Sequence, residues 1–175
     1  MGIKKRVLFA CVIFMLAVSG VFAANVIILK LDKNNPVDLY NLGILNYYSG
    51  KTADAVSLIK GSVGINENYA KAYYSLGLIY FNDANYKDAI ENFKKSAEID
   101  KNNANYNFDL AVSYVELFRE KESDNLLTSG DLDFLRKAIS HYETVASLDA
   151  NFPHAASNLE ITKSVLEEYE SQIKT

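Results

Sequence analysis

The sequence holds one cysteine, two prolines, two histidines and eight glycines in 175 residues. So few prolines and glycines leave no material for long linkers or low-complexity tracts. The single cysteine, Cys11, lies within the first 23 residues. The remainder can therefore form no disulfide and no thiolate metal site. His141 and His154 have neither a cysteine nor an acid at the spacing of a metal motif. No glycine-rich phosphate loop and no nucleophile elbow occurs, and Gly61 and Gly64 fall inside a helix-pair pattern. Glu167, Glu168 and Glu170 read as a solvated helix end. Neither catalysis nor a bound metal or cofactor is expected.

Charge is unevenly placed. Lys4, Lys5 and Arg6 precede an unbroken apolar run, Val7 to Ala17, and Val21-Phe22-Ala23 ends in small residues at −3 and −1. That is the layout of a secretory signal peptide, with cleavage expected after Ala23. It predicts an exported, periplasmic protein, or one secreted to the medium. Two other readings exist. Residues 7–24 carry no charge and reach the minimum of roughly 18 residues for a membrane span, so an uncleaved segment would be an anchor. Leu8-Phe9-Ala10-Cys11 loosely resembles a lipoprotein cleavage box. Cleavage after Ala23 leaves 15 of the 18 Lys and Arg and all 22 acids, a net charge of −7. Phosphate binding wants a clustered positive surface, so nucleic acid is excluded as a partner. What remains is one domain of 152 residues that must be held by core burial alone.

What the sequence does have is internal repetition. Leu31-Asp-Lys-Asn-Asn35 recurs as Ile65 to Tyr69, Ile99 to Asn103 and Leu148 to Phe152, at offsets of 34, 34 and 49. Leu42-Gly43 matches Leu76-Gly77 and Leu110-Ala111 at 34 and 34. Ala55, Ala89 and Ala138 follow at 34 and 49. Three landmarks share one period, and one fifteen-residue insertion sits between the second and third. Tyr73, Leu76, Gly77 and Tyr80 fall at i, i+3, i+4 and i+7, one face of a helix. After a polar break from Asn82 to Asn85, Ala89, Ile90, Phe93 and Ala97 mark the apolar face of a second. Small residues on both helices let the backbones approach closely, and a larger side chain there would cost about 1–3 kcal/mol.

Tyr73, Leu76, Gly77, Tyr80, Ala89 and Phe93, followed by Asp-x-x-Asn at a 34-residue period, resemble the tetratricopeptide repeat. The resemblance covers nearly all of residues 26–175. It implies an all-α fold: a right-handed superhelical array of antiparallel helix pairs closed by a C-terminal capping helix. The frame gives the tail of a helix at 26–33, then repeats at 36–69, 70–103 and 104–152. The insertion falls at 117–131 and a capping helix at 153–173. Pro153 suits a first turn. Glu160 stands where the repeats carry Gly43 and Gly77, which blocks further stacking, as an end cap requires. The insertion predicts two overlong helices joined by a projecting loop, with Leu126 and Leu127 folded back. A sharper reading makes that loop a contact finger.

In a tetratricopeptide array the first helices line a groove through positions 5, 9 and 12 of each repeat. Position 5 holds Tyr40, Tyr74 and Phe108; position 9 holds Ile44, Leu78 and Val112; position 12 holds Tyr47, Phe81 and Val115. All nine are apolar or aromatic and are expected to lie outside the core. Such a patch marks an interaction surface fit for an amphipathic helix or an extended peptide of a protein partner. The alternatives are filling by Val26 to Leu31 or by the final helix, a homodimer seam in a structural scaffold, or an apolar small ligand held for a transport system. Relatives that grip chaperone carboxylates carry Lys and Asn at positions 5 and 9, then Lys and Arg at positions 2 and 6 of a later repeat. Here those places hold Tyr40, Ile44, Asn105 and Asp109, and nothing there neutralises a dicarboxylate.

Overall fold

The computed structural model describes residues 32–124 and 127–173. The expected signal segment, the alternative anchor, the box at Cys11 and the helix tail from Val26 to Leu31 lie outside the described residues, as does Leu126. Every described regular element is helical. In chain order they are α1 Pro36–Tyr48, α2 Thr52–Ile65, α3 Ala70–Asn82, α4 Tyr86–Ile99, α5 Ala104–Ser123, a 3-10 turn Ser129–Asp131, α6 Leu132–Leu148 and α7 Ala155–Ile173. Among the described residues no helix is long and apolar enough to cross a membrane. The helix pairs sit where the 34-residue frame puts them.

Polar side chains start the first helices. The Asn35 and Asn103 side chains accept the backbone N–H of Val37 and Asn105, as N-caps do. Tyr69 holds the intermediate place in the frame without a side-chain cap. Its ring instead packs on Tyr40, with centroids 5.3 Å apart. Between the helices of a pair the chain turns through a left-handed residue. Gly50 does so at φ 77° and Ala84, one period later, at φ 55°. Glycine adopts that conformation freely, whereas an L-residue such as Ala84 is strained there by about 1–2 kcal/mol.

Each second helix packs on the first helix of its own repeat and on the first helix of the next. The close approach rests on the small landmarks. A Cβ on Gly43 would sit 2.5 Å from Ile59 Cγ1, and one on Gly77 would sit 2.5 Å from Phe93 Cδ1. Ala55, Ala89 and Ala138 are fully buried opposite. Two core clusters result. Tyr40, Ala55, Ile59, Ala72, Leu76 and Ile79 fill the first. Phe93, Leu110, Tyr114, Leu117 and Tyr142 dominate the second.

The insertion departs from the expectation of a projecting loop. Its first residues continue α5 to Ser123, and Leu117 and Phe118 are buried. Phe118 joins Leu132 and Leu135 in a third cluster, against which Leu127, Val165, Leu166 and Tyr169 pack. Asp131 accepts the Thr128 amide at 2.8 Å and its hydroxyl at 2.6 Å, and pairs with Lys121 at 2.8 Å. Lys121 and then Thr128 hold its carboxyl down at about 2. Leu117, Phe118, Leu127 and Asp131 are thus spent on the core rather than offered as a contact finger, because burial rewards apolar side chains that reach the final helix.

That final helix, α7, starts at Ala155 and not at Pro153. His154 adopts φ 63°, a left-handed step that no helix can run through. Glu160 is exposed, where Gly43 and Gly77 are buried against second helices.

Candidate functional site

The first helices α1, α3, α5 and α7 form one layer, and side chains tie neighbours together. Tyr40 Oη lies 3.2 Å from Ser75 Oγ, and Asn82 Nδ2 donates to Tyr47 Oη at 2.8 Å. The Tyr74 hydroxyl donates to Asp109 Oδ2 at 2.6 Å. All three links span 35 residues, one period plus one. At the far end Phe118 and Tyr169 meet edge to face at 5.3 Å, and the Tyr169 hydroxyl donates to Glu122.

These ties change the meaning of position 5. Tyr40 is only 6 % exposed. Tyr74 is half-buried, its ring 4.7 Å from that of Tyr106. Phe108 packs between Tyr142 at 5.7 Å and Phe152 at 5.0 Å. The position 5 residues therefore do serve the core, contrary to expectation. A helical face drawn within one repeat does not reveal the partner one repeat away. Burial raises the Tyr74 pKa, and the hydrogen-bonded Asp109 raises it further. Burial also raises that of Asp109, while the tyrosine hydroxyl opposes the shift.

Position 9 is open only at Leu78, since Ile44 packs against the first core cluster and Val112 against the second. Ile44 and Val112 are half-buried, and Leu78 is 36 % exposed. Carrying the frame on by 49 residues adds Ile161 of α7, which is 56 % exposed. Ile161 was legible in the sequence by that same offset, which the nine groove positions stop short of. It shows that α7 takes the place of a fourth first helix and lengthens the row. Position 12 is mixed. Tyr47 is held by Asn82 and lies 5.9 Å from the Tyr48 ring, Phe81 meets Tyr86 at 5.4 Å, and Val115 borders α7. Between α5 and α7 a cleft of about 180 Å³ is lined by Val115, Phe118, Ile161 and Val165, with Arg119 and Glu168 at its edge. Beside it Val112, Tyr142 and Asn158 line a smaller one of about 120 Å³.

The histidines do other work. His141 Nδ1 is 3.1 Å from Asn107 Oδ1, and its ring stacks on Tyr114. Burial, then Lys94, lowers its pKa. His154 is exposed in the turn before α7. Among the described residues no three or more His, Cys, Asp or Glu gather as a metal site would require.

Residues 70–103 match the family model of the tetratricopeptide repeat. No curated protein matches the chain. Several solved structures share its fold. A MamA protein is 23 % identical, with 91 % of this chain and 83 % of that one covered at a TM-score of 0.65. The first tetratricopeptide domain of Spaghetti (RPAP3), bound to the HSP90 peptide SRMEEVD, is 14 % identical over 78 % of this chain and 97 % of its own, at 0.62. The tetratricopeptide domain of Arabidopsis OM64 is 14 % identical over 78 % and 98 %, at 0.57. At these identities the likeness is one of fold. Residues 70–103 thus match one tetratricopeptide repeat, with helix pairs in the same frame on either side, and the chain shares the fold of tetratricopeptide arrays.

Proposed function

We propose that this protein is a non-catalytic adaptor whose first-helix layer receives an apolar or amphipathic segment of another protein. The observation that carries it is the row of Ile44, Leu78, Val112 and Ile161 across neighbouring first helices, in which Leu78 and Ile161 are exposed. Apolar side chains presented side by side on a fixed scaffold are the usual material of a peptide-binding surface. An acidic peptide such as the one bound to RPAP3 does not fit. The positions that would need cations hold Tyr40, Ile44, Asn105 and Asp109, and the Asp109 carboxylate would repel it. The basic and apolar N-terminus supports work in the cell envelope, where a mature chain beginning at Ala24 is expected by mass spectrometry.

The test is recovery of a partner from an envelope extract by the tagged wild type, Leu78→Glu, Ile161→Glu and Ile65→Glu. Ile65 is also exposed but lies at the end of a second helix. The partner should be lost with both groove variants and kept with Ile65→Glu. Equal recovery by all four would overturn the assignment.

A further inference from the structure

The first-helix layer is closed unevenly. Between α1 and α3 two side-chain hydrogen bonds cross the seam, Tyr40 with Ser75 and Tyr47 with Asn82, and between α3 and α5 one does, Tyr74 with Asp109. In the same frame, with the offset of 49 residues for α7, the corresponding places between α5 and α7 hold Phe108 with Asn158 and Val115 with Val165. A phenyl ring and two valines have no donor to give. Asn158 turns instead to the Tyr142 hydroxyl, at 3.4 Å. The clefts of about 180 and 120 Å³ open along this untied seam, and they share Val115, Arg119, Ile161 and Thr162.

The walls and the rim of these clefts differ in kind. Val112, Val115, Phe118, Ile161 and Val165 make the walls. An apolar cavity of about 150 Å³ takes a benzene ring, so the larger cleft fits one aromatic side chain and the smaller one an aliphatic side chain. From the smaller cleft to the larger, the lining moves along α5 from Val112 to Phe118 and along α7 from Asn158 to Val165, so their centres lie about one helical turn apart. The rim carries Arg119 and three carboxylates, Glu116, Glu122 and Glu168. Arg119 is bound by Glu116 at 2.9 Å. Glu122 accepts the Tyr169 hydroxyl, and Glu168 accepts the Gln172 amide at 3.4 Å. Among the described residues no Lys, Arg or His pairs with either of them. The larger cleft is therefore left with two unbalanced negative charges at its far end.

The geometry points to an amphipathic helix with one basic end, part of a partner protein, as the occupant of the α5–α7 seam. The inference rests on the adaptor reading above and gives its partner a chemistry. Apolar side chains at i and i+4 stand one turn apart on one helix face, which is the spacing of the two clefts. A Lys or Arg one turn further on reaches Glu122 and Glu168. The order is fixed: the aliphatic anchor enters the smaller cleft, the aromatic anchor the larger, and the cation follows it. Turned the other way, the cation would meet Arg119, already balanced by Glu116. Apolar burial supplies most of the affinity. Exposed carboxylates add little to it, but they select the sign of the partner and set its direction.

The test uses two synthetic helices of about four turns, acetylated and amidated. Both carry Leu and Phe at i and i+4, and they differ only in having Lys or Glu at i+8. Binding to the full chain is followed by isothermal titration calorimetry at low and high salt. The wild type should bind the Lys peptide about tenfold more tightly than the Glu peptide, and salt should narrow that gap. Glu168→Lys should reverse the order. Ile161→Glu should abolish binding of both peptides, whereas Leu78→Glu, on α3, should leave both unchanged. Glu168, Ile161 and Leu78 are exposed, so each variant should keep the wild-type Tm. Equal affinity for the two peptides, no binding of either, or binding that survives Ile161→Glu would overturn the proposal. So would a wild-type dimer that Ile161→Glu disperses in sedimentation, because a second copy would then fill the clefts. Loss of binding with Leu78→Glu would overturn it too, while leaving the adaptor reading intact. That reading stands or falls separately, on recovery of the envelope partner.

Discussion

Repeats two and three place the same landmarks in the same frame at very different lengths. In repeat two, helices of 13 and 14 residues meet through a short turn at Ala84. In repeat three, helices of 20 and 17 residues run past the landmarks before turning. The shared part packs alike: Phe93 and Tyr142 hold the same place, as do Ala89 and Ala138, and all four are buried. The added part makes a core of its own around Phe118, Leu132 and Leu135 and grips the final helix. A repeat is therefore fixed by where its helices cross and is free in how far they extend beyond. Here the freedom is used to hold the cap.

Separating the two parts by mutation tests that division. Phe118→Ala should have the largest effect, about 3–5 kcal/mol, through loss of the extension's core. Hydrogen exchange should rise first in α7, with α1 to α4 still protected. A uniform rise along the chain would mean that the extension is not a separate unit. Next in size is the crossing itself. Gly77→Ala drives a Cβ into the Phe93 ring and should cost about 1–3 kcal/mol, seen as a lower urea midpoint. Repeat three already carries a Cβ at that place, Ala111, fully buried against its own partner. Ala111→Gly should cost the helix preference, about 1 kcal/mol, plus the burial of one methyl, about 0.8 kcal/mol. A gain in stability at either site would blur the distinction between the crossings.

The smallest effect is the acid response of the extension. The folded pKa of Asp131 lies below its unfolded value, 3.8 falling to about 2. Its contribution is thus fully present above about pH 4 and is lost as pH falls through about 2. Asp131→Asn should be the less stable protein at neutral pH and should approach the wild type only below about pH 2. Urea melts across that range give the answer, and a gap that persists in acid would point to packing rather than charge.

Much of this was legible beforehand. The 34-residue period, the glycine–alanine crossings and the helix starts at Pro36, Ala70 and Ala104 all follow from spacing, because they depend on local pattern. The insertion was legible only in part: the two overlong helices and the folded-back Leu127 follow from its pattern, but only the approach of α7 shows what Phe118 packs against. The repeat frame points Tyr40 and Tyr74 at the groove because their hydrogen-bond partners stand 35 residues on, beyond any single-helix argument. The late start of α7 turns on the backbone of His154, which the position of Pro153 conceals.

The links that join each first helix to the next, Tyr40 to Ser75, Tyr47 to Asn82 and Tyr74 to Asp109, also bear on how a partner would bind. They fix the spacing between helices before any ligand arrives. A docking segment then meets side chains whose backbones no longer have to be ordered, and the entropy of arranging the surface is lost during folding rather than binding. Cutting one tie, as in Tyr74→Phe, should leave the apolar row chemically intact but loosen its geometry, so that affinity falls mainly through faster dissociation.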